Sequence, residues 1–247
     1  MPVSIKMYKI LELPKELPVE SAQTSPGYGG VSFVTKVTQL GQSEYPDKSL
    51  DKWQIMHEIG EEFLGKGYIE DGSQYDIVAV STSERFPCFV EDQKFLYTFG
   101  TKRVVSEQAL RRLRKFPNGD NKLIAEPVQI NLVGLKAKLM NEDAIIRGGW
   151  FRRMQIANVE VAYLGGTSVV ESDDWDRYES SGGTISALRL DIPTIDVERE
   201  SIKILFTSDG NCVVYRSQIT EFELLRHTMP LFDLAKEFLV DKSTHVD

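Results

Sequence analysis

The pair Asp209-Gly210 constrains this fold more than any other two residues of the sequence. It sits in Ser208-Asp209-Gly210-Asn211, between the short apolar runs Ile202–Phe206 and Cys212–Arg216. Asp-Gly supplies the positive φ that a tight turn between paired strands needs, so the two runs are expected to form a β-hairpin. Similar runs recur along the chain. Val31–Leu40 alternates, with Val31, Phe33 and Thr35 on one face and Val34 on the other. Tyr75–Ser81 and Ile185–Ile192 read as strands, and Phe86–Gly100 reads as a hairpin with Glu91-Asp92-Gln93-Lys94 at its tip. Leu123–Ala162 is β-rich, with two or three strands separated by Asn141-Glu142-Asp143 and by Gly148-Gly149. Val3–Leu13 alternates loosely before Pro14 and Pro18 interrupt it, and Ser25–Gly30 is a loop by composition.

Helices are expected in three places. Ser49-Leu50-Asp51 is a cap for a helix reaching about Leu64, because Trp53, Met56, Ile59 and Phe63 recur at spacings of three and four; Gly65-Lys66-Gly67 would end it. A second spans about Glu107–Phe116, with Ser106 as cap and Pro117-Asn118-Gly119 as stop. The region from Ser217 to about Val240 is helical, and Pro230 predicts a kink there or two shorter helices. The class that results is α+β: mostly antiparallel sheet with about four helices packed on one side or at the ends. The polar stretch Pro117–Lys122 is the expected boundary between an N-terminal α+β region, 1–116, and a C-terminal β-rich region, 123–247, ending in the kinked helix or helix pair; a single domain is the alternative.

A hydrophobic share of 41% supplies a core and excludes global disorder. No stretch approaches the ~20 apolar residues of a membrane-spanning helix. Met1–Glu12 does not look like a secretory signal. Cys88 and Cys212 each lie in an apolar run and read as two buried thiols of a reducing compartment, which makes the cytoplasm the expected location and no membrane the expected partner.

Charge carries the functional lead. Between Lys94 and Arg153 stand thirteen basic residues and five acids, an excess of +8 inside a chain of net −8. In the 107–116 helix Ala109, Leu110, Leu113 and Phe116 make an apolar face, leaving Arg111, Arg112, Arg114 and Lys115 to project outward, where guanidinium groups suit phosphate oxygens. Lys102 and Arg103 precede it. A second cluster, Arg147, Arg152 and Arg153, surrounds Gly148-Gly149-Trp150-Phe151; glycine permits close backbone approach, and Trp150 could stack on an unpaired base. These residues predict nucleic-acid contact by a non-catalytic accessory protein in a larger complex. Against this stands the plainer reading, in which basic faces are merely solvated, Trp150 and Phe151 belong to the core, and the block pairs with the acidic remainder within the molecule or across a subunit interface.

Catalytic signals are sparse. His57, His227 and His245 have no histidine or cysteine partner at i+3 or i+4, and no CxxC, GxxxxGK[ST] or GxSxG motif occurs, so neither a metal, a cofactor nor a catalytic residue is expected. Asp76 with Asp92-Gln93-Lys94 fits the outline of a metal-dependent nuclease, although a hairpin turn explains the second set better. The insert Glu171–Gly183 reads as a solvated acidic loop in which Trp175 and Tyr178 are candidate anchors for a protein partner or a second copy, unless they fold back to pin the loop. The layout of Phe86–Phe116, an FPCF-type hairpin followed by a basic helix, resembles phage-exclusion and other antiviral DNA-binding proteins. That resemblance implies DNA association and carries over no functional residue.

Overall fold

The computed structural model describes residues 2–25, 30–117, 119–142, 144–193, 201–216 and 219–240; most of the expected 25–30 loop and His245 lie outside them. In chain order the first strands are β1 (Val3–Glu12), β2 (Val19–Ser25), β3 (Val31–Gln42), β4 (Leu50–Tyr68), β5 (Gln74–Glu91) and β6 (Phe95–Phe99). Helix α1 (Arg103–Lys115), β7 (Ile124–Pro127), α2 (Leu132–Leu139), β8 (Ile145–Ile156) and β9 (Val159–Gly165) follow. Then come α3 (Asp173–Ser180), β10 (Thr184–Pro193), β11 (Ser201–Thr207), β12 (Asn211–Val214) and α4 (Glu221–Lys236). Extensive antiparallel sheet with four described α-helices makes this an α+β fold.

Two compact units divide the chain: an N-terminal unit of Lys9–Ser43 and Lys48–Glu126, and a C-terminal unit of the residues up to Tyr8, Glu44–Asp47 and the chain from Pro127 onward. The change of unit at 126/127 lies just past the Pro117–Lys122 stretch, and the first half of β1 is grouped with the C-terminal unit.

In the N-terminal unit, β2, β3, β4, β5 and β6 follow one another as antiparallel neighbours. The expected helix from Ser49 to Leu64 is β4, and Gly65-Lys66-Gly67 lies within the strand rather than ending anything. Trp53, Ile55 and His57 are buried in alternation, a period of two that overrides the three-and-four spacing. Pairing of β4 with β3 stops at His57↔Thr35, whereas pairing with β5 continues to Tyr68↔Gln74. From Glu58 onward the hairpin is therefore a two-stranded ribbon, on which Phe63, Tyr68 and Tyr75 are exposed. Helix α1 lies against β2, β3 and β4, burying Val105, Ala109, Leu110 and Leu113. It begins at Arg103, earlier than expected: Lys102 is its cap residue, and Ser106 is a helical residue whose Oγ donates to the Arg103 carbonyl at 3.0 Å.

In the C-terminal unit the antiparallel order is β1, β12, β11, β10, β8 and β9. The Asp-Gly hairpin forms as expected, with Phe206 opposite Cys212 and Gly210 at φ +74. Asp209 of that turn also accepts a 3.1 Å ion pair from buried Lys6. Two helices replace expected irregular or strand segments. Asn131 caps α2 by accepting from the Val133 and Gly134 amides, and Leu132, Leu135 and Leu139 bury one face. Ser172 caps α3 by accepting from the Trp175 amide, with Asp173, Asp174 and Asp176 near its positive N-terminal end. Helix α4 opens on a capping box between Thr220 and Glu223 and runs as one helix with Pro230 inside it.

The same device recurs within each unit: an aromatic ring of one element covers a glycine of another. Phe33 lies over Gly60 and Tyr75 over Gly67; Trp175 lies over Gly149 and Tyr163 over Gly148. A Cβ at any of these glycines would collide with the ring.

Candidate nucleic-acid interface

Of the basic block, the N-terminal unit holds Lys102, Arg103 and the α1 residues, and the C-terminal unit holds Arg147, Arg152 and Arg153. Several of these charges are already used. Arg103 pairs with Glu107 at 2.8 Å, Arg114 with Glu126 at 2.6 Å, and Arg147 with Asp191 at 2.8 Å. Lys102, Arg111, Lys115, Arg152 and Arg153 form no ion pair with another described residue.

Arg112 is not the outward phosphate ligand expected of it. Its Nη1 donates to the Glu58 carbonyl at 2.7 Å, to the Val34 carbonyl at 3.2 Å and to Thr35 Oγ1 at 3.2 Å. The helix turns this side chain inward because positions 105, 109 and 112 share one stripe. The guanidinium latches α1 to the sheet. Burial lowers its pKa, with Glu58 opposing that shift.

Beside the latch stands His57, 1% exposed, in a strand rather than the expected helix. Its Nδ1 lies 2.7 Å from Thr35 Oγ1 and 3.3 Å from Arg112 Nη1. Arg112 Nη1 can only donate, so the Nδ1 it faces at 3.3 Å is the unprotonated nitrogen; Thr35 Oγ1 then donates to Nδ1 and the ring proton lies on Nε2. Burial first, and the Arg112 charge second, hold the His57 pKa down to about 4. The imidazole is therefore neutral at pH 7.

Around this group a cleft of about 430 Å³ opens between α1 and the sheet, lined by Gln23, Phe33, His57, Ile59, Gly60, Gln108, Arg111, Arg112, Lys115 and Phe116. Gln108, Arg111, Arg112 and Lys115 stand at i, i+3, i+4 and i+7, so one stripe of the helix faces it. Among the described residues no carboxylate lines it. Arg111 and Lys115 thus bring two uncompensated positive charges to a concave, partly apolar site. Phe116, expected on the buried face, is 39% exposed at the cleft's rim. No protein-family model matches the chain, and no curated protein matches it in sequence.

The second cluster is arranged differently. Gly148 and Gly149 are covered by Tyr163 and Trp175, so their open backbone serves the protein's own rings. Trp150 is half-buried against Tyr163 at 4.3 Å between centroids. Arg153 takes φ +59 in the irregular part of the β8–β9 pairing, and Arg152 and Arg153 border a shallow hollow shared with Glu160. Trp175 is fully buried, edge-on to Phe151 at 4.8 Å, with Lys136 Nζ 5.5 Å above its ring. Tyr178 leans on the same Phe151 at 5.4 Å. The expected partner anchors instead pin α3 to β8.

The nuclease outline does not assemble. Asp92 and Gln93 have φ +49 and +59 and form the β5–β6 turn. Asp76 lies near the far end of β5, some 50 Å of strand away at about 3.3 Å per residue. Among the described residues no group of three histidine, cysteine or acidic side chains is placed to hold a metal. Cys88 and Cys212 are free and buried, and burial raises both thiol pKa values far above their usual range. No described helix is long and apolar enough to cross a membrane.

Proposed function

We propose that this protein is a non-catalytic nucleic-acid-binding component of a larger assembly, and that it holds its ligand through the α1 cleft. The observation that carries this reading is a concave site with Arg111 and Lys115 unpaired and no acid among its lining residues. Phosphate contacts of this kind position a ligand without reading its sequence. Arg112, hydrogen-bonded to the Val34 and Glu58 carbonyls, contributes structure. Titrating a labelled oligonucleotide against Arg111→Glu/Lys115→Glu tests the proposal. Affinity should fall, and the slope of log K against log salt should shrink by about 1.5 for two lost phosphate contacts. An unchanged salt slope refutes it.

A second reading has its own observation. The ribbon beyond Glu58 exposes Phe63, Tyr68 and Tyr75, and a hairpin paired only with itself is marginal in water. It serves a protein-interaction subunit whose partner is another copy of the chain. Sedimentation velocity across a concentration series should then show self-association that Phe63→Ser/Tyr75→Ser removes; a monomer at all concentrations ends this reading.

A further inference from the structure

We infer that the α1 cleft receives one unpaired nucleotide, its phosphate on Arg111 and Lys115 and its base against Phe116. This rests on the nucleic-acid reading above and narrows it. Shape is the first argument. The site is concave and of the size that encloses a small molecule. A duplex presents its phosphates on a convex surface and keeps its base faces inside the stack. Only an unpaired nucleotide brings a phosphate and a bare base face into one cleft.

The lining chemistry is the second argument. A site for phosphate alone needs only donors, because phosphate oxygens accept. Gln23 and Gln108 each offer a donor and an acceptor. That pattern complements the edge of a base, as glutamine does with adenine. The neutral His57 adds no third mobile charge.

Position of the rings is the third. Phe33 is buried over Gly60 and forms the floor. Phe116 borders the main cleft on one side and, on the other, a hollow of about 200 Å³ lined by Glu20, Ala22 and Pro117. Its ring is thus reachable, next in sequence to Lys115. An aromatic platform beside a cation is the arrangement on which unpaired bases stack.

The test uses the whole protein and fluorescence anisotropy with a labelled 12-nucleotide single strand, the same strand as a duplex, and AMP as competitor. The single strand should bind at least about ten-fold tighter than the duplex. Phe116→Ala should lose about ten-fold, within the range stacking supplies, and Phe116→Tyr should restore it. Phe116 is part-exposed, so both variants should fold, which a thermal melt checks. Equal affinity for strand and duplex, or Phe116→Ala binding like wild type, overturns the inference; if Arg111→Glu/Lys115→Glu still weakens binding, the broader reading survives. AMP bound at the cleft with no affinity for either oligonucleotide keeps the nucleotide assignment and removes the nucleic-acid reading. Absence of binding by all three probes removes both.

Discussion

Acidification should unfasten α1 from its sheet, and His57 sets the size of the effect. The imidazole is 1% exposed, accepts at Nδ1 from Thr35, and stands 3.3 Å from Arg112 Nη1. Protonating Nδ1 would put two cations in contact and leave the threonine hydroxyl facing a donor. The neighbouring strand positions carry two acids: Glu58, which accepts the Val34 amide at 2.7 Å, and Glu84, opposite His57 on β5. With a folded pKa of about 4 against an unfolded value of 6.5, the unfolded chain binds the extra proton first. The neutral ring's contribution is thus complete above pH 6.5 and is lost as pH falls toward 4. Linkage at 1.36 kcal/mol per unit gives a loss of about 2 kcal/mol at pH 5 and about 3 kcal/mol at pH 4. Carboxylates titrate over the lower part of the same range, so the readout is a difference. Urea unfolding of wild type and His57→Gln at pH 7.5, 5 and 4 should show the wild type losing that much more stability than the variant. Identical pH dependence in the two proteins would refute the assignment of a buried neutral imidazole.

Other substitutions separate structural from surface charges. Arg112→Ala should lower stability by at least about 2 kcal/mol, since it strands the Val34 and Glu58 carbonyls, while Arg111→Ala changes it by no more than about 0.5 kcal/mol; thermal melts distinguish the two. Arg147→Ala leaves Asp191, 7% exposed, without its cation and should cost about 3 kcal/mol, so loss of binding in that variant would report unfolding; circular dichroism monitors it. Gly149→Ala places a Cβ 2.5 Å from the Trp175 ring and should destabilise by about 1–3 kcal/mol; combining it with Trp175→Leu should give less than the sum of the two losses in a double-mutant cycle.

Hairpins were the most readable part of this fold, because their signals are local. Asp209-Gly210 and the Asp92-Gln93 turn each carry their own backbone requirement. The β4 segment misled for the opposite reason. Trp53 and Ile59 satisfy a helical spacing and a period of two alike, and only burial of Ile55 and His57 by tertiary contacts decides between them. Helix α3 was written in Ser172 and the acids of its first turn, yet its polarity concealed it. The cleft was half legible. Arg111 and Lys115 follow from the basic run, and Gln108 could have been added from its i−3 position. Gln23, Phe33 and Phe116 reach the site through strand pairing and helix docking, which no local pattern encodes. The same docking turned Arg112 from a binding residue into a latch.

The rings seated over Gly60, Gly67, Gly148 and Gly149 have a consequence for how such a chain can drift over evolutionary time. Each glycine and its ring behave as a lock with one key: enlarging one partner alone is penalised, and shrinking the other alone leaves a hole. Viable change at these sites should therefore come as coordinated exchanges, so that among descendants of this sequence the two positions of a pair would vary together or stay fixed together.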